Sequence, residues 1–197
     1  MNEFWNNRYS AEIYAYGEAP NEHVKQELSG LKPGKILFPA EGEGRNAVHA
    51  ATRGWNVTAF DTSTEGKKKA ELLAAKYNVG IDYHISSYEN CDFTKESFDC
   101  LVLVYAHMPP ALRQMAHKKL TTFLKPEGKL ILEGFSKKQI NYNTGGPKNI
   151  DFLFSEEELR SDFSDLSELE IIEKEVVLNE GLFHQGTASV IRITGKK

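Results

Sequence analysis

Short apolar runs alternate with longer segments of helical spacing along this chain, which predicts strands and helices in turn. The segments KILFPA (35–40) and NVTAF (56–60) have the apolar content of buried strands. Between them, RNAVHAATR (45–53) has the small and apolar residues of a helix that packs on a sheet, and Gly54 is placed at its C′ position. This order predicts a βαβ unit with parallel strands.

The alternation continues through the middle of the chain. Thr62 is predicted to cap a helix that runs to about Tyr77, with Glu65 completing a capping box. The segment GIDYHI (80–85) is a weaker third strand, and FDCLVLVYA (98–106) is nearly continuous in apolar residues. Such a continuous run is typical of a central parallel strand that is buried on both faces.

The C-terminal part is predicted to close the sheet with a hairpin. A helix begins at Pro109 and Pro110, and KLILEGF (129–135) is the fifth strand. The last two strands, LEIIEKEVVLN (169–179) and TASVIRIT (187–194), are too close in sequence for a helical crossover, so they should pair antiparallel. The pattern therefore predicts five parallel strands with alternating helices, followed by an antiparallel pair.

One long turn-rich segment, residues 136–154, interrupts this pattern after the fifth strand. It contains Gly-Gly-Pro at 145–147, and Ser155 is predicted to cap the next helix with Glu158 three residues later. A connection of this length in a compact domain is more often functional than accidental. We therefore interpret 136–154 as a lid-like insertion.

Composition narrows the class of protein. A length of 197 residues with 40% hydrophobic and 26% charged residues predicts a single globular domain, 1–197. The net charge of −4 argues against a nucleic-acid partner, and the run Lys67-Lys68-Lys69 is interpreted as a solvated helix face. Two isolated cysteines, the absence of a signal peptide and the absence of an 18-residue apolar run predict a cytoplasmic protein without a membrane span.

A glycine turn in AEGEGRNA (40–47) joins the first strand to the first helix. Gly42 and Gly44 permit a sharp turn and let a ligand approach without a Cβ in the way, and the helix N-terminus offers free N–H groups. Asp61 ends the second strand, where a carboxylate accepts hydrogen bonds from both hydroxyls of a ribose. This order predicts a nucleotide-like cofactor, and Gly42-x-Gly44-x-x-Ala47 also satisfies the dinucleotide variant of the motif.

Two features favour S-adenosylmethionine over a dinucleotide. Glu41 directly precedes Gly42, and Glu43 adds a second acid. A carboxylate there repels a pyrophosphate and attracts the α-amino group of a methionine moiety, because charges interact more strongly in a partly buried site than in water. The antiparallel hairpin is the second feature, since a dinucleotide fold normally continues with another parallel half.

The chain resembles the class I S-adenosylmethionine-dependent methyltransferases over essentially its whole length. AEGEGRNAVHAATRGWNVTAFD resembles the first two motifs of that superfamily, ESFDCLVLVY its fourth strand, and LTTFLKPEGKLILEGF its LKPGG turn and fifth strand. FWNNRYSAEIYAYGEAPNEHV and GRNA are similar to the tellurite-resistance and thiopurine-methyltransferase-like branch of small-molecule enzymes. HMPPALR, GGPKNIDFLFSEEELR and EGLFHQGTASVIRI resemble uncharacterised bacterial members of that branch.

The resemblance implies a Rossmann-like α/β fold. Its mostly parallel sheet has seven strands in the order 3-2-1-4-5-7-6, with strand 7 antiparallel and helices on both faces. It also implies a methyltransferase that takes a methyl group from S-adenosylmethionine to a small-molecule acceptor. Glu43 departs from the small residue that the superfamily usually has at its position, which makes the pocket floor more acidic.

The resemblance also assigns residues. Glu41, Gly42 and Gly44 line the methionine end of the cofactor, and Asp61 holds the ribose. The full set of predicted cofactor-binding residues is Trp5, Arg8, Tyr9, Glu41, Gly42, Glu43, Gly44, Arg45, Asn46, Asp61, Thr62, Ser63, Ser87, Tyr88 and Tyr105.

Some of these assignments leave alternatives open. Thr62 either contacts the adenine or only caps its helix. Ser87 and Tyr88 stand near the place where the family often has an acid for the adenine amino group. Arg45 either pairs with one of the two turn acids or meets the cofactor carboxylate.

The N-terminal segment 1–30 is predicted to cover the cofactor. Aromatic faces attract a sulfonium cation, and Arg8 is a candidate partner for the methionine carboxylate. The alternative is a helix packed on the edge of the sheet. The aromatic residues concerned are Trp5, Tyr9, Tyr14 and Tyr16.

His107 is the candidate catalytic residue, because it follows the fourth strand and ligands of open α/β sheets bind at the carboxyl ends of strands. Its alternative is a histidine that shapes the acceptor pocket or caps the following helix, and Glu133 and His184 are further candidates. No histidine spacing indicates a metal site. A nicotinamide-dependent reductase and a non-catalytic cofactor-binding module remain the competing functions, and a monomer is the default, with a dimer left open.

Overall fold

The computed structural model describes residues 2–197, and it contains six α-helices, two 3₁₀ helices and seven strands. The chain divides into two compact units. The first consists of the residues up to Asp92 together with Glu180–Phe183, and the second of Phe93–Asn179 together with His184–Lys197. The assignment of 1–197 to one domain, with 1–30 as a covering segment, stays a prediction.

The first unit places the ends of two parallel strands side by side. β1 pairs with β2 from Lys35↔Asn56 to Pro39↔Phe60, and β2 pairs with β3 in the same direction. The residues that follow β1 are therefore close to Asp61, the last residue of β2. The elements of this unit are α1 (Asn2–Tyr9), α2 (Glu22–Ser29), β1 (Lys35–Pro39), α3 (Arg45–Thr52), β2 (Asn56–Asp61), α4 (Thr64–Lys76) and β3 (Asp82–Ile85).

The ends of α3 and α4 test the predicted helix signals. Gly54 has a φ of 87° directly after the C-cap of α3, which confirms its predicted position. The predicted cap of α4 was wrong by one residue: Ser63, and not Thr62, accepts the backbone N–H of Gly66. The reason is Asp61, whose carboxylate accepts the Ser63 N–H and extends the non-helical chain by one residue. The predicted capping box with Glu65 is therefore not formed.

The second unit contains the remaining strands. β4 pairs parallel with β5 from Cys100↔Lys129 to Val104↔Glu133, and β5 pairs antiparallel with β7 from Lys129↔Lys196 to Phe135↔Val190. Its elements are β4 (Phe98–Val104), α5 (Pro110–Thr122), β5 (Leu124–Phe135), 3₁₀ helices at Lys137–Asn141 and Ile150–Phe152, α6 (Glu156–Asp162), β6 (Ser167–Glu180) and β7 (His184–Lys196).

The seven strands are hydrogen-bonded in the order β3-β2-β1-β4-β5-β7-β6, with helices around the sheet. This confirms the predicted Rossmann-like α/β class, its strand order and the antiparallel strand 7. The apolar runs of β1 and β4 are buried, as a sheet covered on both faces requires.

The predicted lid-like insertion 136–154 is anchored within the second unit. Lys137 donates its backbone N–H to Phe154 O (2.9 Å), so the two ends of the segment are joined. The buried Gln139 side chain accepts the Ser189 N–H at 2.8 Å. Ser155 and Glu158 form the capping box expected for α6. A role of 136–154 as a lid stays a prediction.

Candidate functional site

The glycine turn between β1 and α3 adopts the strained backbone that its sequence predicted. Gly42 has a φ of 61° and Gly44 a φ of 85°, and Ala40 enters the turn at 50°. Glycine is required twice for space as well. A Cβ on Gly42 would lie 2.6 Å from Tyr9 Oη, and one on Gly44 would lie 2.5 Å from the Cβ of Ala70 on α4.

Glu41 is buried at the N-terminus of α3. Its Oε1 accepts the backbone N–H groups of Asn46 (2.8 Å) and Ala47 (2.7 Å). The N-cap residue Gly44 has no side chain that could accept these hydrogen bonds. Its Oε2 has only a long contact with Asn46 Nδ2 at 3.5 Å. Burial raises the pKa of Glu41 to about 7, although the hydrogen bonds and nearby Arg45 oppose the shift.

The protein should become less stable as the pH rises toward 7, because the buried Glu41 then loses its proton. Between its ordinary pKa of 4.5 and its folded pKa of about 7, the folded protein keeps a proton that the unfolded chain has lost. The unfolding free energy should then fall by about 2 kcal/mol from about pH 5 to pH 7. Glu41→Gln keeps an oxygen for the helix N–H groups and removes the titration, so urea unfolding of this variant should lack that fall.

The matched control for this measurement is Glu71→Gln, which changes an exposed carboxylate on α4. Its pH profile should follow that of the unchanged protein. Parallel profiles for the protein and for Glu41→Gln would contradict the assigned titration.

Asp61 faces the same turn from the end of β2. Its Oδ2 accepts the Gly42 N–H at 3.1 Å and its Oδ1 accepts the Ser63 N–H at 2.9 Å. Burial raises its pKa, against the backbone hydrogen bonds that lower it. Each carboxylate oxygen accepts more than one hydrogen bond, so both oxygens keep capacity for further donors. Asp61 and Glu41 thus form a pair of buried acids on adjacent parallel strands.

Glu43 has a different environment from the one predicted for a cofactor ligand. Its Oε2 accepts the backbone N–H of Ala15 at 2.8 Å, and its Oε1 lies 2.6 Å from Lys69 Nζ. Both oxygens are therefore engaged within the first unit. The predicted contact of Glu43 with the cofactor stays a prediction that this geometry does not support.

Arg45 lies near enough to Glu41 to lower the pKa of that acid, and its guanidinium also reaches the N-terminal segment and the 180–183 turn. Its Nη2 donates to Glu180 Oε2 at 2.9 Å, and its Nη1 donates to the Tyr16 carbonyl at 3.3 Å. Asn46 uses its side-chain oxygen for the Asn21 N–H. Both residues connect the start of α3 to the N-terminal segment and to the 180–183 turn.

The predicted N-terminal aromatic residues do lie over the glycine turn. Tyr9 is 6% exposed, and its hydroxyl is the atom nearest to a Cβ built on Gly42. Trp5 stacks on Tyr9 with ring centroids 5.4 Å apart. Burial raises the pKa of Tyr9 well above its ordinary value, with Asp61 as the next cause. α1 is therefore a helix packed in place, and its role as a cover for the cofactor stays a prediction.

Arg8 differs from its neighbours. Its guanidinium lies 3.8 Å from the ring centroid of Phe183 and donates to the Tyr16 hydroxyl at 3.2 Å. The Arg8 guanidinium, which was predicted to bind a cofactor carboxylate, is therefore engaged by these two contacts. The guanidinium joins the N-terminal segment to residues 180–183.

The remaining predicted residues of the first unit lie after β2 and β3. Ser63 donates its hydroxyl to Asn6 Oδ1 (2.7 Å), so α1 contributes to the start of α4. Ser87 accepts the backbone N–H of Asn90 and forms a turn, while Tyr88 packs edge-on against Phe60. Thr62 is partly exposed beside Asp61, and its contact with an adenine stays a prediction.

Tyr105 and His107 belong to the second unit. Tyr105 directly follows β4 with a φ of 49°, which is strained for an aromatic residue. Its hydroxyl donates to Glu133 Oε1 at 2.9 Å, and Arg192 Nε donates to the other Glu133 oxygen at 2.5 Å. The ring stacks on Phe135 at 4.6 Å. The Tyr105 ring is therefore held in one position.

His107 uses both ring nitrogens for backbone groups. Its Nε2 accepts the Phe135 N–H at 2.9 Å, so Nδ1 carries the proton and donates to Phe152 O at 2.8 Å. Burial lowers its pKa to about 4. This geometry supports the alternative reading, a histidine that shapes its surroundings, and a general base at His107 stays a prediction.

Sequence reasoning missed three residues of the first unit. Tyr83 donates its hydroxyl to the Gly42 carbonyl at 2.6 Å, Asn6 contacts the start of α4, and Lys69 pairs with Glu43. Their partners are distant in sequence and no local pattern marks them. Within residues 2–197 no group of three or more histidines, cysteines or acids is arranged to hold a metal ion. No helix of the described chain has the length and apolar character that crossing a bilayer requires.

Comparisons with known proteins agree with this geometry. Residues 36–128 match the family described as a methyltransferase domain. That range includes the glycine turn, Asp61 and Tyr105. Comparison with curated protein sequences gives no match.

Three solved structures share the fold at low sequence identity. A protein studied for the conversion of a disulfide bond into a thioacetal group during echinomycin biosynthesis is 16% identical, with a TM-score of 0.80 over 100% of this chain and 91% of its own. TehB from Haemophilus influenzae is 17% identical, with a TM-score of 0.75 over 100% and 66%. An S-adenosylmethionine-dependent methyltransferase from Methanosarcina mazei is 18% identical, with a TM-score of 0.72 over 91% and 98%.

The matched domain spans the strand–turn–helix segment that carries Glu41 and the strand that ends at Asp61. The strand order and the antiparallel β7 are those that the methyltransferase resemblance implied. Residues 36–128 therefore form a methyltransferase domain, and the whole sheet has the strand order that the resemblance to the class I S-adenosylmethionine-dependent methyltransferases implied.

Proposed function

We propose that this methyltransferase acts on a small-molecule acceptor and holds S-adenosylmethionine in the first unit. The observation that carries the cofactor assignment is the pair of buried acids, Glu41 and Asp61, at the ends of β1 and β2. Both lie at a glycine turn that leaves no room for a Cβ. Neither acid is paired with a lysine or arginine in the described chain, so a cationic ligand would find a complementary charge.

The chemistry of these groups fits the cofactor. Glu41 Oε2, with its single long contact, is the proposed acceptor for the α-amino group of the methionine moiety. Asp61 is the proposed acceptor for the two ribose hydroxyls, since both of its oxygens retain hydrogen-bonding capacity. When bound, S-adenosylmethionine supplies a methyl group that is already activated by its sulfonium.

Glu41 also disfavours the runner-up, a nicotinamide-dependent reductase. A pyrophosphate at this turn would meet the buried carboxylate of Glu41, where like charges repel strongly. Asp61 does not distinguish the two cofactors, since an acid at that position also binds the ribose of a dinucleotide. Glu43 does not contribute to the repulsion, because Lys69 lies 2.6 Å from it. The argument therefore rests on Glu41 alone rather than on the two turn acids that the sequence suggested.

Hydrogen bonds fix several side chains of the second unit in position. Tyr105 and His107 are held at the end of β4 by Glu133 and by backbone groups, and 136–154 is anchored beside them. We propose that this part of the chain orients the acceptor and keeps water away from it. Positioning is the main requirement when the donor is already activated. A soft sulfur nucleophile is one acceptor class, since a protein of the same fold is described as acting on a disulfide.

Calorimetric titration tests the cofactor. The protein should bind S-adenosylmethionine and S-adenosylhomocysteine and should not bind NAD or NADP. Binding of a nicotinamide cofactor alone would overturn the proposal.

A panel of small acceptors tests turnover, with S-adenosylhomocysteine release as the readout. The panel contains 2-mercaptoethanol, tellurite, a thiopurine, a phenol and a primary amine. Release with at least one of them would support a small-molecule acceptor. Cofactor binding without release would instead favour the third function, a non-catalytic binding module.

We further propose a cytoplasmic protein, because Cys91 and Cys100 are both free and buried rather than joined in a disulfide. A monomer is the proposed state, and size-exclusion chromatography with light scattering measures it.

A further inference from the structure

The three consecutive lysines of α4 have different environments. Lys67 and Lys68 are on the surface, with side chains 33% and 65% exposed, whereas the Lys69 side chain is 11% exposed. The interpretation of this run as one solvated helix face was therefore wrong at its last residue. A buried lysine costs free energy unless its charge is paired, so its partners indicate what it does.

Three oxygens surround the Lys69 ammonium. Nζ lies 2.6 Å from Glu43 Oε1 and donates to the carbonyls of Ala11 and Ile13, each at 2.8 Å. It also lies 4.5 Å from the ring centroid of Tyr14, whose hydroxyl donates to the Lys69 carbonyl. Two of the three N–H donors of the ammonium therefore serve the carbonyls, and Glu43 Oε1 balances the charge as an ion pair.

Glu43 extends the same network. Its second oxygen accepts the Ala15 N–H, so the Glu43–Lys69 pair holds backbone atoms of Ala11, Ile13 and Ala15. We call residues 10–16, between α1 and the approach to α2, the strap. A compact ammonium reaches several carbonyls at once, which a surface lysine in water would not do.

The strap has few other attachments in its first half. Ser10, Ala11, Glu12 and Ile13 are exposed, and Ile13 is 65% exposed although it is a large apolar residue. A segment with few buried apolar contacts opens at low free energy unless polar contacts hold it. The Glu43–Lys69 pair supplies those contacts.

The position of the strap connects it with the glycine turn. It begins directly after Tyr9, whose hydroxyl lies against Gly42, and it ends at Tyr16, whose carbonyl binds Arg45. The strap therefore crosses the turn that carries Glu41. Tyr9 ends α1 directly before the strap, so the strap is continuous with the residue that lies against the turn.

We propose that Glu43 and Lys69 form a latch that holds the strap closed over the glycine turn, and that opening of the strap admits and releases the cofactor. The gating part of this inference rests on the proposed cofactor site. Lys69 is a positioning residue, since it acts through the strap. The latch also explains why an acid occupies position 43, where a small residue would leave Lys69 and the Ala15 N–H without their partner.

The test replaces the ammonium by Lys69→Met, which keeps the length and apolar character of the stem. Hydrogen exchange of the Ala15 amide should become at least about tenfold faster, because its acceptor loses its counter-ion and the strap opens more often. Stopped-flow tryptophan fluorescence should show S-adenosylhomocysteine entering and leaving faster, both rates rising by about fivefold or more. The matched control is Lys68→Met on the same helix, which should leave exchange and both rates unchanged.

Lys69→Met leaves the buried Glu43 without its counter-ion, which could unfold the protein. The double variant Glu43→Met with Lys69→Met avoids this problem. It removes both charges together, which often leaves stability intact, and it should loosen the strap as the single variant does. Faster exchange throughout the first unit would mean general destabilisation and would overturn the latch. So would unchanged exchange at Ala15.

A loosened strap with unchanged ligand rates would overturn the gate and leave Lys69 as a structural lysine. If the unchanged protein does not bind S-adenosylhomocysteine, the proposed cofactor site fails and the gate fails with it. The exchange measurement needs no ligand, so it still decides the latch in that case.

Discussion

Replacing Asp61 by alanine should weaken the binding of S-adenosylhomocysteine at least about 100-fold, or roughly 3 kcal/mol. In the proposed site the two oxygens of Asp61 accept the ribose hydroxyls, and alanine would leave those hydroxyls unpaired in a buried place. Asp61 is 8% exposed, so water can replace the carboxylate only poorly. Isothermal titration calorimetry on the folded variant measures the loss.

Asp61 also accepts the N–H groups of Gly42 and Ser63, so alanine removes support from the turn as well. Asp61→Asn keeps the acceptor oxygen for one of these two N–H groups, so it disturbs the turn less than alanine does. It should retain the fold while weakening binding by about tenfold or more. Asp82→Asn, on an exposed carboxylate of β3, is the control and should bind as the unchanged protein does. Wild-type affinity in both folded Asp61 variants would rule out the ribose assignment.

The largest effect on stability is expected at Asp162, in the second unit. Its Oδ2 accepts hydrogen bonds from Arg113 Nε at 2.7 Å and His117 Nδ1 at 2.8 Å. All three residues are buried, and the other contact of the Arg113 guanidinium is Glu158 at 3.5 Å. Asp162→Ala leaves a buried cation without its main partner, which typically costs about 3–5 kcal/mol. Urea unfolding should show this loss.

The control for Asp162 is Asp165→Ala, three residues later at an exposed position, where a change within about 0.5 kcal/mol is expected. Equal losses in the two variants would contradict the assigned network. Burial alone would raise the pKa of Asp162, but the hydrogen bonds from His117 and Arg113 lower it below 3.8. This contribution is therefore present at neutral pH and is lost only as the pH falls through that lowered pKa.

Local patterns were sufficient for the fold and for the two proposed cofactor acids. The seven strands and the helices α3 to α6 were indicated by short apolar runs or cap signals, whereas α1 and α2 were not. Neighbours in a parallel sheet end at the same edge. Glu41 and Asp61 could therefore be placed together from residues that lie within one βαβ unit. The boundary at Thr62 and Ser63 was missed by one residue because it depends on a hydrogen bond from Asp61, which hydrophobic periodicity does not report.

The partners of the other charged residues could not be predicted in this way. Arg45 was expected beside the turn acids, yet its partner Glu180 lies 135 positions later in the chain. Lys69 was taken for a surface residue, because its two lysine neighbours and its helical position gave no sign that residues 11–15 cover it. His107 was a candidate base until two backbone groups were found on its ring.

The sequence by itself determined the α/β class and the methyltransferase domain, since these depend on periodicity and on motifs of contiguous residues, and the resemblance to the methyltransferases implied the strand order. Only the tertiary structure decided which charges are paired and which remain for a ligand. The physical reason is that a buried charge selects partners by distance in space. Glu43 is the clearest example. The sequence predicted it as part of a ligand pocket, whereas in the structure it pairs with Lys69 and accepts the N–H of Ala15 in the strap.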